Sequence, residues 1–164
     1  MSLSRRHILT GTALLLLGGC GFRPMLAANS GAGPALAQTR ILMPPGRLGQ
    51  QIWKEITARA NPRGRPEKPV YELALQLKTR KEGLAIRQDE TVTRFNLLLD
   101  ADYTLYRLSD RKALLKGRLR SVSSYNVVVS EYANLAAEQD AENRAARQLA
   151  LDLVDRLASY FQKN

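Results

Sequence analysis

Three groups of side chains in this 164-residue chain are suited to chemistry: one cysteine behind an apolar run, two aspartates two positions apart, and three basic residues on alternate positions. Cys20 lies in LLLLGGCGFRP, residues 14–24, and is the chain's single thiol. A lone cysteine makes no internal disulfide and no CxxC redox or zinc centre, and the one histidine, His7, sits at the extreme N-terminus. Metal ligation and histidine-assisted nucleophilic catalysis therefore have almost no material to work with. Cys20 is left with two roles, a buried free thiol or an acylation site. Asp100 and Asp102, placed on a strand, would project from one face about 6.6 to 6.8 Å apart, a spacing within reach of a two-carboxylate mechanism. No sequence feature supplies a cleft for them, and spaced aspartates are ordinary on wet strand faces, so no enzymatic activity is expected. Lys116, Arg118 and Arg120 would form a ladder of the same spacing, suited to charge-assisted hydrogen bonds with a multiply charged anion. The bland reading of that ladder is a solvated or lumen-facing strand surface.

The segment before Cys20 decides between its two roles. Arg5 and Arg6 precede an apolar run from Ile8 to Leu17, followed by Gly18 and Gly19, which is the order of a secretory signal. This ten-residue stretch would span about 15 Å as a helix, against roughly 30 Å of hydrocarbon, so it is too short for a permanent span. Leu17-Gly18-Gly19-Cys20 resembles a bacterial lipobox, in which small side chains give the signal peptidase access to the bond before an acylated cysteine. Cys20 is accordingly expected to carry diacylglycerol and an N-acyl chain, and no other cofactor. Acyl chains worth about 0.8 kcal/mol per buried CH₂ anchor such a protein without a transmembrane segment. Ser4-Arg5-Arg6-His7 also resembles a twin-arginine export signal, although paired arginines occur in ordinary signals and both routes stay open. Gly21 is not the aspartate of an inner-membrane retention mark, which favours the outer membrane.

Loss of residues 1–19 removes two arginines, leaving 25 − 2 = 23 basic against 15 acidic residues, a formal charge of +8. In an exported chain this excess points to anionic lipid or glycolipid phosphate. Nucleic acid is not an expected partner, because no stacking motif accompanies the basic residues.

These residues need a frame. Residues 20–38 read as the lipidated N-terminus and a flexible tether, with AANSGAGPALAQ at 27–38 lacking any period. A single domain is expected over 39–164. Thr39–Met43 predicts a short strand stopped by Pro44-Pro45. Leu48, Ile52, Ile56 and Ala60 predict a helix with one apolar stripe, beside which Trp53 is core or interface. The run from Tyr71, the longer one through Phe95 to Leu105, and the one through Leu115 to Leu119 alternate with period two. Short connections make those three strands antiparallel. From about Tyr132, Ala146, Leu149, Leu153, Leu157 and Tyr160 line one face of a last helix. The predicted class is α+β, a four-stranded, mostly antiparallel sheet with two helices packed on one face, in the order β-α-β-β-β-α.

This order, with CGFRP at the mature start and SSYNVVVSEYANLAAEQDAENRAARQLA at 123–150, resembles the LPS-assembly lipoprotein family, LptE. The resemblance covers essentially the whole mature chain. It implies an outer-membrane lipoprotein, anchored on the periplasmic side, whose domain plugs the lumen of the LptD β-barrel, assists the barrel's assembly and takes part in lipopolysaccharide transport to the outer leaflet. It also implies that Arg87, in KEGLAIRQDET, matches the family's basic residue at a hairpin tip where lipopolysaccharide contact is expected, alongside the Lys116, Arg118 and Arg120 candidates. Some members place a lysine where the last helix begins, and this chain has Asn134 and Leu135 there. Tyr125 and Tyr132 are candidate wedges against a barrel wall, since tyrosine suits half-wet interfaces, or else core residues at a strand end and a helix start. The alternative to the plug is a free-standing periplasmic lipid- or glycolipid-binding lipoprotein, which would need an open apolar groove on its sheet.

Overall fold

A computed structural model describes residues 31–86 and 92–163. Two proline-bounded segments set the N-terminal half. Strand β1 (Thr39–Ile41) ends just before Pro44-Pro45, which cannot continue a ladder. Helix α2 (Gly46–Ala60) follows and buries Gly49, Ile52, Ile56 and Ala60 at the predicted four-residue spacing. Gly49 is required by close approach: a Cβ there would lie 2.4 Å from the Pro44 carbonyl oxygen.

The alternating runs become three long strands, β2 (Tyr71–Ile86), β3 (Val92–Arg107) and β4 (Ala113–Asn126). They lie in the order β1-β2-β3-β4, with β2-β3 and β3-β4 antiparallel as short connections demand. Strand β1 pairs with β2 in parallel, Thr39 opposite Tyr71 and Ile41 opposite Leu73, because α2 carries the chain back to the end from which β1 started. The α+β class holds, and the sheet is mixed.

Helix α3 (Glu131–Lys163) is 33 residues long, about 50 Å at 1.5 Å per residue. Alanines 141, 145 and 146 fill its buried stripe in the first half, and Leu149, Leu153, Val154 and Leu157 in the second. These small and then larger residues pack with α2 against Leu73, Leu97, Leu99, Ala101 and Leu105, all fully buried. Arg47 of α2 and Glu142 of α3 form an ion pair across the helices. Both long helices cover one face of the sheet, and the core lies between.

One element departs from the expectation. Residues 32–37, read as tether, form a six-residue helix, α1 (Ala32–Ala37), with Ala32 and Leu36 buried. Its sequence AGPALA has no helical period, and tertiary contacts hold it. Asn61, buried at the end of α2, donates its amide to the carbonyls of Leu36 and Ala37 at 3.1 Å each, and Thr39 Oγ1 donates to Ala35 O at 2.8 Å. The observed order is therefore α-β-α-β-β-β-α.

Candidate functional site

The sheet face turned away from α2 and α3 carries the charged positions. Even-numbered residues of β2, β3 and β4 share it, so the register stacks them into rows: Lys78, Asp100 and Arg120 in one, Gln76, Asp102 and Arg118 in the next, Ala74, Thr104 and Lys116 in a third. The ladder read from the sequence is thus present, with all three cations exposed. Its electrostatics differ from a bare cationic stripe. Arg118 grips Asp102 with two hydrogen bonds, Nε to Oδ1 at 2.6 Å and Nη2 to Oδ2 at 3.1 Å. Arg120 does the same to Asp100 at 2.6 and 3.3 Å, and Arg80 adds a third bond to Asp100 Oδ2 at 3.1 Å. Among the described residues, Lys116 makes no ion pair.

The forked arginines fix the charge state of both aspartates. The hydrogen bond from Arg120, aided by its charge and by Arg80, holds the Asp100 carboxyl below the usual carboxylate range against the opposing effect of burial. Asp102 is lowered by its hydrogen bond from Arg118 in the same way. Each arginine is raised in turn by its aspartate. A carboxylate held ionised by a bidentate arginine does not donate a proton near neutral pH, so this pair lacks the acid half of a two-carboxylate mechanism. Among the described residues no cluster of three or more His, Cys, Asp or Glu side chains is placed to hold a metal ion.

At the β1 end of the same face Glu72 is buried and shared between two arginines. Burial works against its charge, yet hydrogen bonds and charge from Arg40 and Arg111 prevail and lower its carboxyl. Arg40 Nε reaches Glu72 Oε2 at 3.0 Å and Arg111 Nη1 reaches Oε1 at 2.9 Å. Between this cluster and the Asp102 row lies a shallow depression of about 660 Å³, floored by Ala74 and Thr104 and rimmed by Tyr106, Lys116 and Arg118.

The two tyrosines part company. Tyr125 is 9% exposed and stacks on Phe95 with ring centroids 5.8 Å apart, on the helix side of the sheet. Burial, and then the Glu138 carboxylate at 3.4 Å, push its phenol above the ordinary range. Lys81 closes that cluster with an ion pair to Glu138 at 2.5 Å. Tyr125 is therefore a core residue at a strand end. Tyr132 is 83% exposed and stands with exposed Val128, Val129 and Leu135 around the start of α3. Asn134 closes the turn before α3: its amide donates to Val128 O at 2.8 Å and its Oδ1 accepts from Val128 N at 2.7 Å. Arg87 and Cys20 lie outside the described residues.

The domain is thus of the α+β class, a sheet closed on one face by long helices and ionic on the other. A structure from Caulobacter crescentus CB15, described as a lipoprotein, superposes with a TM-score of 0.67 at 22% identity, over 82% of this chain and 98% of that one. The rare lipoprotein B of Shewanella oneidensis gives 0.58 at 11%, covering 74% and 92%, and a minor lipoprotein of Acinetobacter baumannii gives 0.54 at 15%, covering 74% and 88%. No curated protein matches the sequence. The lipopolysaccharide-assembly family LptE matches residues 38–157, and the chain belongs to that family. Its role is accordingly in lipopolysaccharide assembly in the Gram-negative envelope. Among the described residues no helix is long and apolar enough to cross a membrane.

Proposed function

We propose that this protein is an outer-membrane lipoprotein, acylated at Cys20, that plugs and helps assemble the LptD β-barrel and takes part in passing lipopolysaccharide to the outer leaflet. The observation that carries this reading is the uncovered sheet face, on which Glu72, Asp100 and Asp102 are each matched by one or two arginines. A barrel lumen is polar, and a surface of pre-paired ions meets such a wall with little further desolvation of unmatched charge. The exposed apolar group at the start of α3, with Tyr132 at its centre, supplies the complementary contact, since an aromatic with a wet tip suits a half-polar interface. Tyr125, packed in the core, has no part in it.

Lipopolysaccharide contact belongs on the same open face. The depression beside Lys116 combines an unpaired ammonium, the forked guanidinium of Arg118 and the half-buried ring of Tyr106, groups that suit a phosphorylated sugar. Arg120, committed with Arg80 to Asp100, contributes less. Arg87, between β2 and β3 in the sequence, is proposed as a second contact. The free-standing glycolipid binder is disfavoured because α2 and α3 close the apolar sheet face on which its groove would have to open. Capture of the tagged, acylated protein from membranes in mild detergent tests the plug: a large β-barrel should co-purify with bound lipopolysaccharide, and recovery of the protein alone would overturn it.

A further inference from the structure

The end of the domain nearest Cys20 has a composition the reading above does not use. Helix α1 brings the chain in beside the turn at residues 61–69, and together they border a groove of about 610 Å³ lined by Pro34, Leu36, Ala37, Pro62, Arg63 and Arg65. Around the same turn a second groove, of about 270 Å³, is lined by Trp53, Arg65, Leu42 and Met43. Leu42 and Met43 are 41% and 57% exposed, large apolar side chains left in the open just past β1. Arg63, Arg65 and Lys68 are exposed, and among the described residues none of them forms an ion pair; the Arg65 guanidinium lies over the Trp53 ring, 5.0 Å from its centroid. The Trp53 indole is itself fixed by donating to Ile41 O at 3.2 Å. On the open sheet face the arginines are matched by carboxylates; here Glu67 is the one acidic residue between 61 and 69.

We infer that this end is a second, non-covalent bilayer contact, in which Arg63, Arg65 and Lys68 bind anionic phospholipid headgroups while Leu42 and Met43 enter the interface of the leaflet that holds the acyl chains of Cys20. Two observations select lipid as the occupant. The first is reach: 33 − 20 = 13 residues separate Cys20 from Gly33, the first residue lining the groove, so this end stays within about 45 Å of the anchor even at full extension. The second is composition, since unpaired cations beside exposed apolar side chains and a cation-capped tryptophan match the layered charge and polarity of a membrane surface. The inference rests on the reading of Cys20 as the anchor for the choice of leaflet, and on the folded domain alone for the binding.

Vesicle flotation separates the two. The mature chain carrying Cys20→Ser, which has no acyl anchor, should float at low salt with vesicles of phosphatidylcholine containing 30 mol% phosphatidylglycerol and stay down with phosphatidylcholine alone. Neutralising Arg63, Arg65 and Lys68 to Gln should lower partitioning by about a hundredfold, with an unchanged circular dichroism spectrum and melting temperature. Arg156→Gln, on the outer side of α3, should float like the parent. Absence of flotation with anionic vesicles, or flotation indifferent to the triple substitution, would overturn the surface. Mass spectrometry of the mature N-terminal residue reports on the anchor independently.

Discussion

The Tyr103 hydroxyl lies 2.7 Å from where a Cβ on Gly117 would be built, and its ring carbon Cζ at 2.9 Å. Strands β3 and β4 place these residues directly opposite each other, so the buried ring occupies the space that any side chain at 117 would need. Gly117→Ala is expected to cost about 1 to 3 kcal/mol through overpacking, read as a lower midpoint in urea. Tyr103→Phe should not relieve it, because Cζ remains, whereas Tyr103→Leu should recover part of the loss. Additive costs in the double variant would contradict the contact.

Acid should destabilise the fold through Glu72, Asp100 and Asp102. All three carboxyls are lowered in the folded state, so their contribution is complete above the unfolded carboxylate pKa near 4 and is lost as pH falls through the lower folded values. Urea midpoints should hold level from pH 7 to about 5 and drop below about 4. The combined E72Q, D100N, D102N variant should start lower and fall less steeply; a parallel slope would remove these residues from the effect.

Asn61 ties the end of α2 to α1 through the carbonyls of Leu36 and Ala37. Asn61→Ala should destabilise by about 1 to 2 kcal/mol, through the loss of these hydrogen bonds from a buried amide. Hydrogen exchange should show the change concentrated in α1 and β1. Loss of protection spread evenly through α3 would argue against this role.

On the open face, the matched arginines set an order of effects. Lys116→Gln should weaken lipopolysaccharide capture by about fivefold, roughly the worth of one cation near an anionic surface. Arg120→Gln should change capture less, because Arg120 is held by Asp100. Equal losses from both would restore the simple cationic ladder.

At the start of α3, Tyr132→Asp combined with Leu135→Asp should abolish barrel co-purification and leave the melting temperature within about 2 °C of the parent, since exposed sites contribute little to stability. Tyr125→Asp should instead fail to fold, as expected for a charge placed against Phe95 in the core.

The strands were legible because period-two alternation over long runs has one physical cause, a sheet wet on one side, and β3 shows it from Phe95 to Leu105. Helix α2 was legible for the parallel reason. Helix α1 was not, because AGPALA buries two residues and owes its shape to Asn61, which stands 24 residues beyond Ala37. The ladder of Lys116, Arg118 and Arg120 was readable as a set of positions. Its neutralisation was not, since pairing Arg118 with Asp102 depends on a register between strands that neither run encodes alone. Tyr125 and Tyr132 looked alike in sequence, and the stack on Phe95 separates them.

Strand β4 ends the sheet, and among the described residues no further strand pairs with its outer margin. A long naked margin invites adhesion by any extended polypeptide nearby, and the partner proposed above is a large barrel whose own strands must close on one another. Lys116, Arg118 and Arg120 line the open face of that strand, and Asp102 and Asp100 of β3 hold two of them over the sheet. On the reading proposed above, charge along the last strand counts against its recruitment into a neighbour's sheet, so that the domain would enter a barrel as a finished body and leave the barrel's seam intact.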